Sequence, residues 1–402
     1  MKLWQRIAKR KVDRALANEL LDKAKKEVEK MPPINILVAG KTGSGKSTLI
    51  NALFRDNIAK TGVGMPVTQH VERLTKEGVP LTLFDTKGLE LTASSQQEVL
   101  KSFAHLINHQ RSLGDDKAIH IVYYCINATM ARIEPLEIEI IQALAKELPV
   151  ILVLTQSIGE DSKQFYHYVK DMALPVKAVV PILAKEYVIA KQTKIASYGL
   201  QTLIDWTLKI IPSKAHQAFI NAQQIDMERK INSARSWAKK YVTTSFGVGF
   251  MPIPVSDATV LVPMQITMLG HITAIFGLSL DKAQIVSLLA GIGGTGGVTM
   301  LGKYMVGNVL KLFPGAGTVA GGFISGATAS SLTIALAYSY IEVLRRISEA
   351  EQMGRDLKLN ELQRIMNQSL EEQLKVASQF IPAAMKEQLP EWLHGFLNQE
   401  SK

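Results

Sequence analysis

The 402-residue sequence has a single cysteine, Cys125. That excludes an internal disulfide and a cysteine-rich zinc site. Inside the apolar run IHIVYYCINA, residues 119–128, Cys125 reads as a core thiol and not as a nucleophile. Aromatic residues make up only 6% of the chain, and no basic stretch interleaves with them, so no RNA-binding module is visible. The opening MKLWQRIAKRKVDRA lacks a continuous apolar run, which argues against a secretory leader and makes a reducing cytosol the expected compartment. Charge is scarce over one long segment: between Tyr241 and Ile341 only Asp257, Asp281, Lys282, Lys303 and Lys311 carry it.

What is present is 47% hydrophobic residues, enough for two or three domains, and a net charge of +10. The basic balance favours an anionic partner such as a nucleotide, nucleic acid or acidic lipid. Residues 1–31 read as a basic helix, ended by the prolines of MPP. Over 32–212, short β-rich runs (INILVAG, LTLFDT, HIVYYCINA, PVILVLTQ, VKAVVPIL) alternate with amphipathic stretches of helical length. That pattern predicts a doubly wound, mostly parallel α/β sheet. A connecting helix is expected over 213–241, running from about Lys214 to Lys240. An apolar, glycine-rich all-α domain over 242–345 and charged helices over 346–402 complete the predicted order.

The segment GKTGSGKST (Gly40, Lys41, Thr42, Gly43, Ser44, Gly45, Lys46, Ser47, Thr48) fits the P-loop pattern. It follows the strand INILVA directly, and the helical text KSTLINALF begins where it ends. Glycines let the backbone curl so that its N–H groups face phosphates. Lys46 then places a positive charge at the β/γ-phosphates, and the Ser47 hydroxyl can reach Mg²⁺. LFDTKG, residues 83–88, should end the strand beside the P-loop strand, supplying Asp85 to the Mg²⁺ shell and the Gly88 amide to the γ-phosphate. Between them lies KTGVGMPVTQH, where a switch loop belongs. A threonine there can bind Mg²⁺ only when the γ-phosphate is present. Thr68 is favoured over Thr61 because Pro-Val-Thr leads straight into the strand HVERLTKEG.

On GKTGSGKST, PVT, DTKG and PVILVLTQS, residues 34–210 resemble the Era/TrmE-type, ribosome-binding P-loop GTPases. The resemblance implies GTP/GDP and Mg²⁺ as ligands, and hydrolysis driven by positioning and electrostatics, with Lys46, Thr68, Asp85 and Gly88 as the catalytic set. It also implies base contacts from Thr155, Gln156 and, by its main chain, Ala184. Three departures accompany it. TQSI puts Gln156 where a stacking lysine is usual and Ile158 where an aspartate reads guanine, so base selection is open; Asp161 could substitute only if the loop is rearranged. Leu89 stands where a water-orienting glutamine is usual, so slow intrinsic turnover or activation by self-association is expected. Gly43 replaces the asparagine of potassium-dependent relatives. Lys87 could help to stabilise charge near the γ-phosphate, but a solvated surface lysine is the favoured reading.

Residues 245–345, through PIPVSDATVLVPMQ and GNVLKLFPGAGTVAGGFISGATASSLTIALAYSYI, resemble the YcjF-type domain of unknown function. The pairing implies a membrane-associated GTPase. Ala283–Gly302 and Leu312–Ile341 are uncharged over 20 and 30 residues, against the roughly 18–20 that span a bilayer. Gly293/Gly297, Gly317/Gly321 and Gly322/Gly326 recur at the spacing that lets helices approach closely. The abundance of Gly, Ser and Thr, and a mean hydropathy of only +0.09, suit a bundle packed on itself equally well. The basic first helix suits anionic lipid or a solvated bundle face. The expectation is a nucleotide-controlled, cytoplasmic, membrane-associating switch able to form homo-oligomers. Its competitors are a soluble ribosome- or RNA-associated factor and a dynamin-like remodelling or pore-forming protein.

Overall fold

A computed structural model describes residues 31–54, 63–66, 71–75, 79–86, 96–190, 193–246, 258–278 and 319–378. The chain divides into two compact units with a boundary between Asp226 and Met227.

The first unit is built on β1 (Ile34–Ala39), β2 (Val63–Pro66), β3 (Val71–Thr75), β4 (Leu81–Thr86), β5 (Ile121–Asn127), β6 (Val150–Thr155) and β7 (Ala178–Pro181). Their spatial order is β2-β3-β4-β1-β5-β6-β7. Strands β4, β1, β5, β6 and β7 run parallel, and β3 and β2 extend the sheet antiparallel. Every residue of β1 is buried, as a central parallel strand covered on both faces requires. Its one polar side chain is satisfied: Asn35 Nδ2 donates to the carbonyls of Asp116 and Ala118, each at 2.9 Å.

Alternate β1 residues face two apolar layers. Ile34, Ile36 and Val38 pack with α1 (Lys46–Leu53), α5 (Leu200–Ile210) and α6 (Ser213–Ala222). Leu37 and Ala39 pack with α2 (Gln96–Ser112), α3 (Pro135–Glu147) and α4 (Gly159–Asp171). The expected doubly wound sheet is therefore present. A separate two-stranded sheet, β8 (Tyr187–Ala190) with β9 (Thr193–Ile195), lies between β7 and α5 in the chain.

The single connecting helix expected near 214–240 is instead two: α6 and α7 (Met227–Phe246). The break is held by two glutamines. Gln223 Oε1 accepts from the amides of Ile225 and Asp226, both at 2.7 Å, which turns the backbone out of helix. Gln224 Nε2 donates to the carbonyls of Asn51, Ala52 and Phe54 at 3.0–3.3 Å, covering the C-terminal end of α1. Helix α6 consequently belongs to the first unit's core through Ala215, Ala218, Phe219 and Ala222.

In the second unit, α7, α8 (Ala258–Phe276), α9 (Val319–Gln352) and α10 (Leu359–Ser378) share one core that includes Ala238, Leu269, Phe276, Tyr340, Leu344 and Met366. Inside it, Lys230 is fully buried with Nζ donating to the Ile275 carbonyl at 2.8 Å, and the Thr273 and Tyr340 hydroxyls lie 2.7 Å apart. His271 packs its ring 4.6 Å from that of Trp237. The compositional boundary drawn at 345/346 falls inside α9, which runs on unbroken. Charge enters that helix as Glu342, Arg345, Arg346 and Glu349, pairs three and four residues apart that support a helix rather than end it. Among the described residues no helix is long and apolar enough to cross a membrane. The stretch 283–302, residues 312–318 and the basic segment 1–30 lie outside the described residues.

Gln224→Ala strips three carbonyls at the end of α1 of a shared donor. We expect a loss of about 1–3 kcal/mol of stability, read as a lower midpoint of chemical unfolding; an unchanged midpoint would show that water replaces the amide without cost.

Candidate nucleotide-binding site

The loop after β1 curls because Gly40, Gly43 and Gly45 all have positive φ, at 143°, 76° and 82°. Gly40 is the least replaceable, since a Cβ there would lie 2.3 Å from the Cys125 carbonyl oxygen. The curl brings two carbonyls round to Lys46. Its Nζ donates to the Gly40 oxygen at 2.8 Å and the Lys41 oxygen at 2.9 Å, and the residue is only 7% exposed. Burial lowers the Lys46 pKa, opposed by the neighbouring charge of Asp85.

Asp85 reaches this point because β4 pairs parallel with β1, placing it opposite Val38. Its pKa is raised to about 6, chiefly by burial, with Lys46 lowering it and Glu72, its cross-strand partner on β3, raising it. Asp85 Oδ1 and Ser44 Oγ are buried without a hydrogen-bond partner. Ser47 and Thr48 are exposed at the start of α1, whose N-cap Gly45 makes no side-chain cap and whose first turn holds no acidic residue. Bare helix amides, a buried ammonium and an unpartnered carboxylate oxygen form a donor set that suits a phosphate with a hard divalent cation. Cys125 lies at the floor, fully buried, its thiol pushed up to about 12 by burial and inert as a nucleophile.

Thr155, at the end of β6, spends its hydroxyl on the loop: Oγ1 donates to the Ser44 carbonyl at 2.6 Å and lies 3.2 Å from that of Ile126. Gln156 is exposed with φ 51°, and Ile158 caps the start of α4. Asp161 is exposed in the first turn of α4. The Ser157 amide donates to the Ile182 carbonyl at 3.1 Å, while Tyr198 Oη donates to the Ser157 carbonyl at 2.8 Å. These bonds tie the segment after β6 to the one that ends at half-buried Ala184. The structure thus gathers the P-loop, Asp85 and Thr155. Thr61, Thr68, Lys87, Gly88 and Leu89 lie outside the described residues. Sequence reasoning missed Tyr198, which bonds the Ser157 carbonyl, Glu72, which pairs across strands with Asp85, and Glu134 and Glu137, whose carboxylates meet Lys41 of the P-loop; the fold alone makes these contacts. Among the described residues no group of three or more His, Cys, Asp or Glu side chains could hold a metal alone.

Comparison with known proteins matches two separate parts of the chain. The profile of the 50S ribosome-binding GTPases matches residues 35–156, and that of a domain of unknown function, DUF697, matches 214–373. The chain joins a P-loop GTPase domain to a DUF697 domain. Human Septin-12 is 29% identical over 163 residues, covering 34% of this chain and 45% of the septin. Rat Septin-9 is 28% identical over 149 residues, covering 31% and 26%. The chain thus spans half or less of the length of these curated relatives. Among solved structures, one titled "probable GTP-binding protein engB" matches with a TM-score of 0.33 and 18% identity, covering 44% of this chain and 97% of that one. Apo translation elongation factor SelB from Methanococcus maripaludis matches with a TM-score of 0.29 and 18% identity, covering 44% and 34%.

The raised Asp85 pKa has a definite sign. A carboxyl that titrates near 6 when folded, against 3.8 ordinarily, favours the folded state in its protonated form, so stability from this group is full below about pH 4 and is lost as pH rises through 6. In chelator and without nucleotide, Asp85→Asn should therefore be more stable than the parent at pH 7.5 by about 1–3 kcal/mol, with the gap closing towards pH 4. Thermal melts across that range check this; a gap that does not change with pH would contradict it.

Proposed function

We propose that this GTPase domain binds GTP and GDP with Mg²⁺, hydrolyses the β–γ phosphoanhydride, and uses nucleotide state to control the appended helical domain. The observation that carries the reading is the buried Lys46 ammonium, held across the curled loop beside an Asp85 oxygen that has no partner. The amides of Gly43 to Thr48 would cradle the β-phosphate, and Lys46 would neutralise the β/γ oxygens. Ser47, Thr68 and Asp85 would hold the Mg²⁺, which supplies charge stabilisation to the transferring phosphoryl group when bound. The Gly88 amide would register the γ-phosphate.

At the base, Gln156 and the Ala184 main chain remain, without the aspartate that reads guanine. Losing a charge-assisted hydrogen bond of about 1.5–3 kcal/mol would erase tenfold or more of the preference for GTP over other triphosphates. Leu89 supplies no water-orienting group, which supports slow intrinsic turnover, with a second copy or another activator completing the site.

For the helical domain we propose association with an anionic membrane surface. The reading is supported by the near absence of charge from 241 to 341 and by the six cations among the first 14 residues: Lys2, Arg6, Lys9, Arg10, Lys11 and Arg14. A second reading has its own support. The buried apolar residues of α7 to α10 already pack on one another, so a helical bundle in water, serving a ribosome- or RNA-associated factor, needs no lipid to satisfy them.

Two measurements test this. Titration with GTP, ATP and XTP in Mg²⁺ should give micromolar or tighter GTP binding with a narrowed margin over the other two, and Lys46→Ala should abolish it; unchanged GTP affinity in that variant sinks the site. Flotation with acidic-phospholipid liposomes should recover the chain differently with GTP and with GDP. Recovery only in the soluble fraction supports the ribosome- or RNA-associated reading, and nucleotide-dependent leakage or tubulation supports the remodelling one.

A further inference from the structure

The P-loop carries a second lysine that the reading above leaves without a task. Lys46 turns inward, but Lys41 turns the other way. Its Nζ lies 2.5 Å from Glu134 Oε2 and 3.5 Å from Glu137 Oε2. Both carboxylates stand at the start of α3, where Glu134 is the N-cap, Pro135 opens the helix, and the Glu134 amide donates to Glu137 Oε2 at 3.0 Å. Glu137 is 4% exposed, so its position is fixed by packing and not by chance contact at a surface. Arg132 completes the group, 4.0 Å from Glu134, so that two cations face two carboxylates.

The local energetics argue for a purpose. A buried carboxylate without a counter-charge is costly, and here its counter-charge is carried by the loop that would meet the phosphates. The Lys41 carbonyl is itself one of the two acceptors of Lys46. The same residue therefore anchors the loop outward by its side chain and supplies the inward acceptor by its main chain. Two negative charges on the partners of the loop's own lysine would repel a polyphosphate bound at that loop if left uncancelled, most strongly at low salt.

Resting on the nucleotide-binding reading, we propose that Lys41, Glu134 and Glu137 are positioning residues. With Arg132 as the second cation, they form a charge-balanced clamp that fixes the entry of the P-loop on the N-terminus of α3 and offsets two carboxylates that would otherwise oppose a nucleoside triphosphate. Lys41 acts through the loop and its acidic partners and does not touch the phosphates with its side chain.

The test compares the full-length parent with Lys41→Ala, Lys41→Arg, Glu134→Gln/Glu137→Gln and the combined triple variant, each titrated with GTP, GDP and GMP at low and high salt. Lys41→Ala should lose about tenfold in GTP affinity, less for GDP and least for GMP, with the loss shrinking at high salt. Lys41→Arg should retain affinity, and the triple variant should recover most of it, because the repelling carboxylates are gone. If Lys41→Ala alone does not fold, the triple variant against the parent still decides. A triple variant that binds GTP no better than Lys41→Ala would overturn the clamp and assign Lys41 a direct phosphate contact. An equal loss for all three nucleotides would reduce the trio to a structural role. A parent chain that binds no nucleoside triphosphate would overturn the nucleotide reading, and the clamp with it.

Discussion

A buried ammonium organises the first domain. Taking a lysine out of water is expensive unless hydrogen bonds and charge replace the lost hydration. Lys46 gets them from two carbonyls of its own loop and from Asp85 on the neighbouring strand. That arrangement demands the loop's curl, and the curl demands glycine at 40, where the Cys125 carbonyl leaves no room for a side chain. It also demands that β1 be a rigid central strand, because the loop starts where the strand stops. The sheet order, with β4 and β5 flanking β1, places Asp85 on one side of the loop and Cys125 on the other.

The site is unevenly finished. At the phosphate end, the loop is held from inside by Lys46, from β6 by Thr155 and from α3 by the clamp on Lys41, so little ordering remains to be done when an anion arrives. Asp85 keeps an unpartnered oxygen, and burial raises its pKa. At the end proposed to meet the base, Thr155 is committed to the loop, Gln156 faces solvent in a left-handed conformation and Ile158 opens a helix. Under the proposed reading, this geometry favours recognition of phosphates over recognition of a base.

Much of this was legible because it is local in sequence. GKTGSGKST declares its loop through glycine spacing, and the β-rich runs around it declare a sheet covered on both faces. Asp85 followed from its place at the end of the next parallel strand. What was hidden depends on distance along the chain. Nothing in the text EPLE announces that Glu134 and Glu137 meet Lys41, 93 and 96 residues earlier. The break between α6 and α7 was invisible because Gln223 and Gln224 are ordinary helix residues until their amides find carbonyl and amide partners off the helix. Composition also misplaced a boundary: α9 passes from apolar to charged text without a pause, since hydropathy reports what a helix faces and not where it ends.

The central claim is that the loop from Gly40 to Thr48 is already curled round Lys46 in a shape that suits phosphate. Amide hydrogen exchange of the full chain, with and without Mg²⁺ and GTP, tests that claim most directly. The account predicts strong new protection confined to the loop and the first turn of α1, with β1 protected equally in both states. Protection that spreads through β1 and its neighbours on nucleotide addition, or none in the loop, would contradict it.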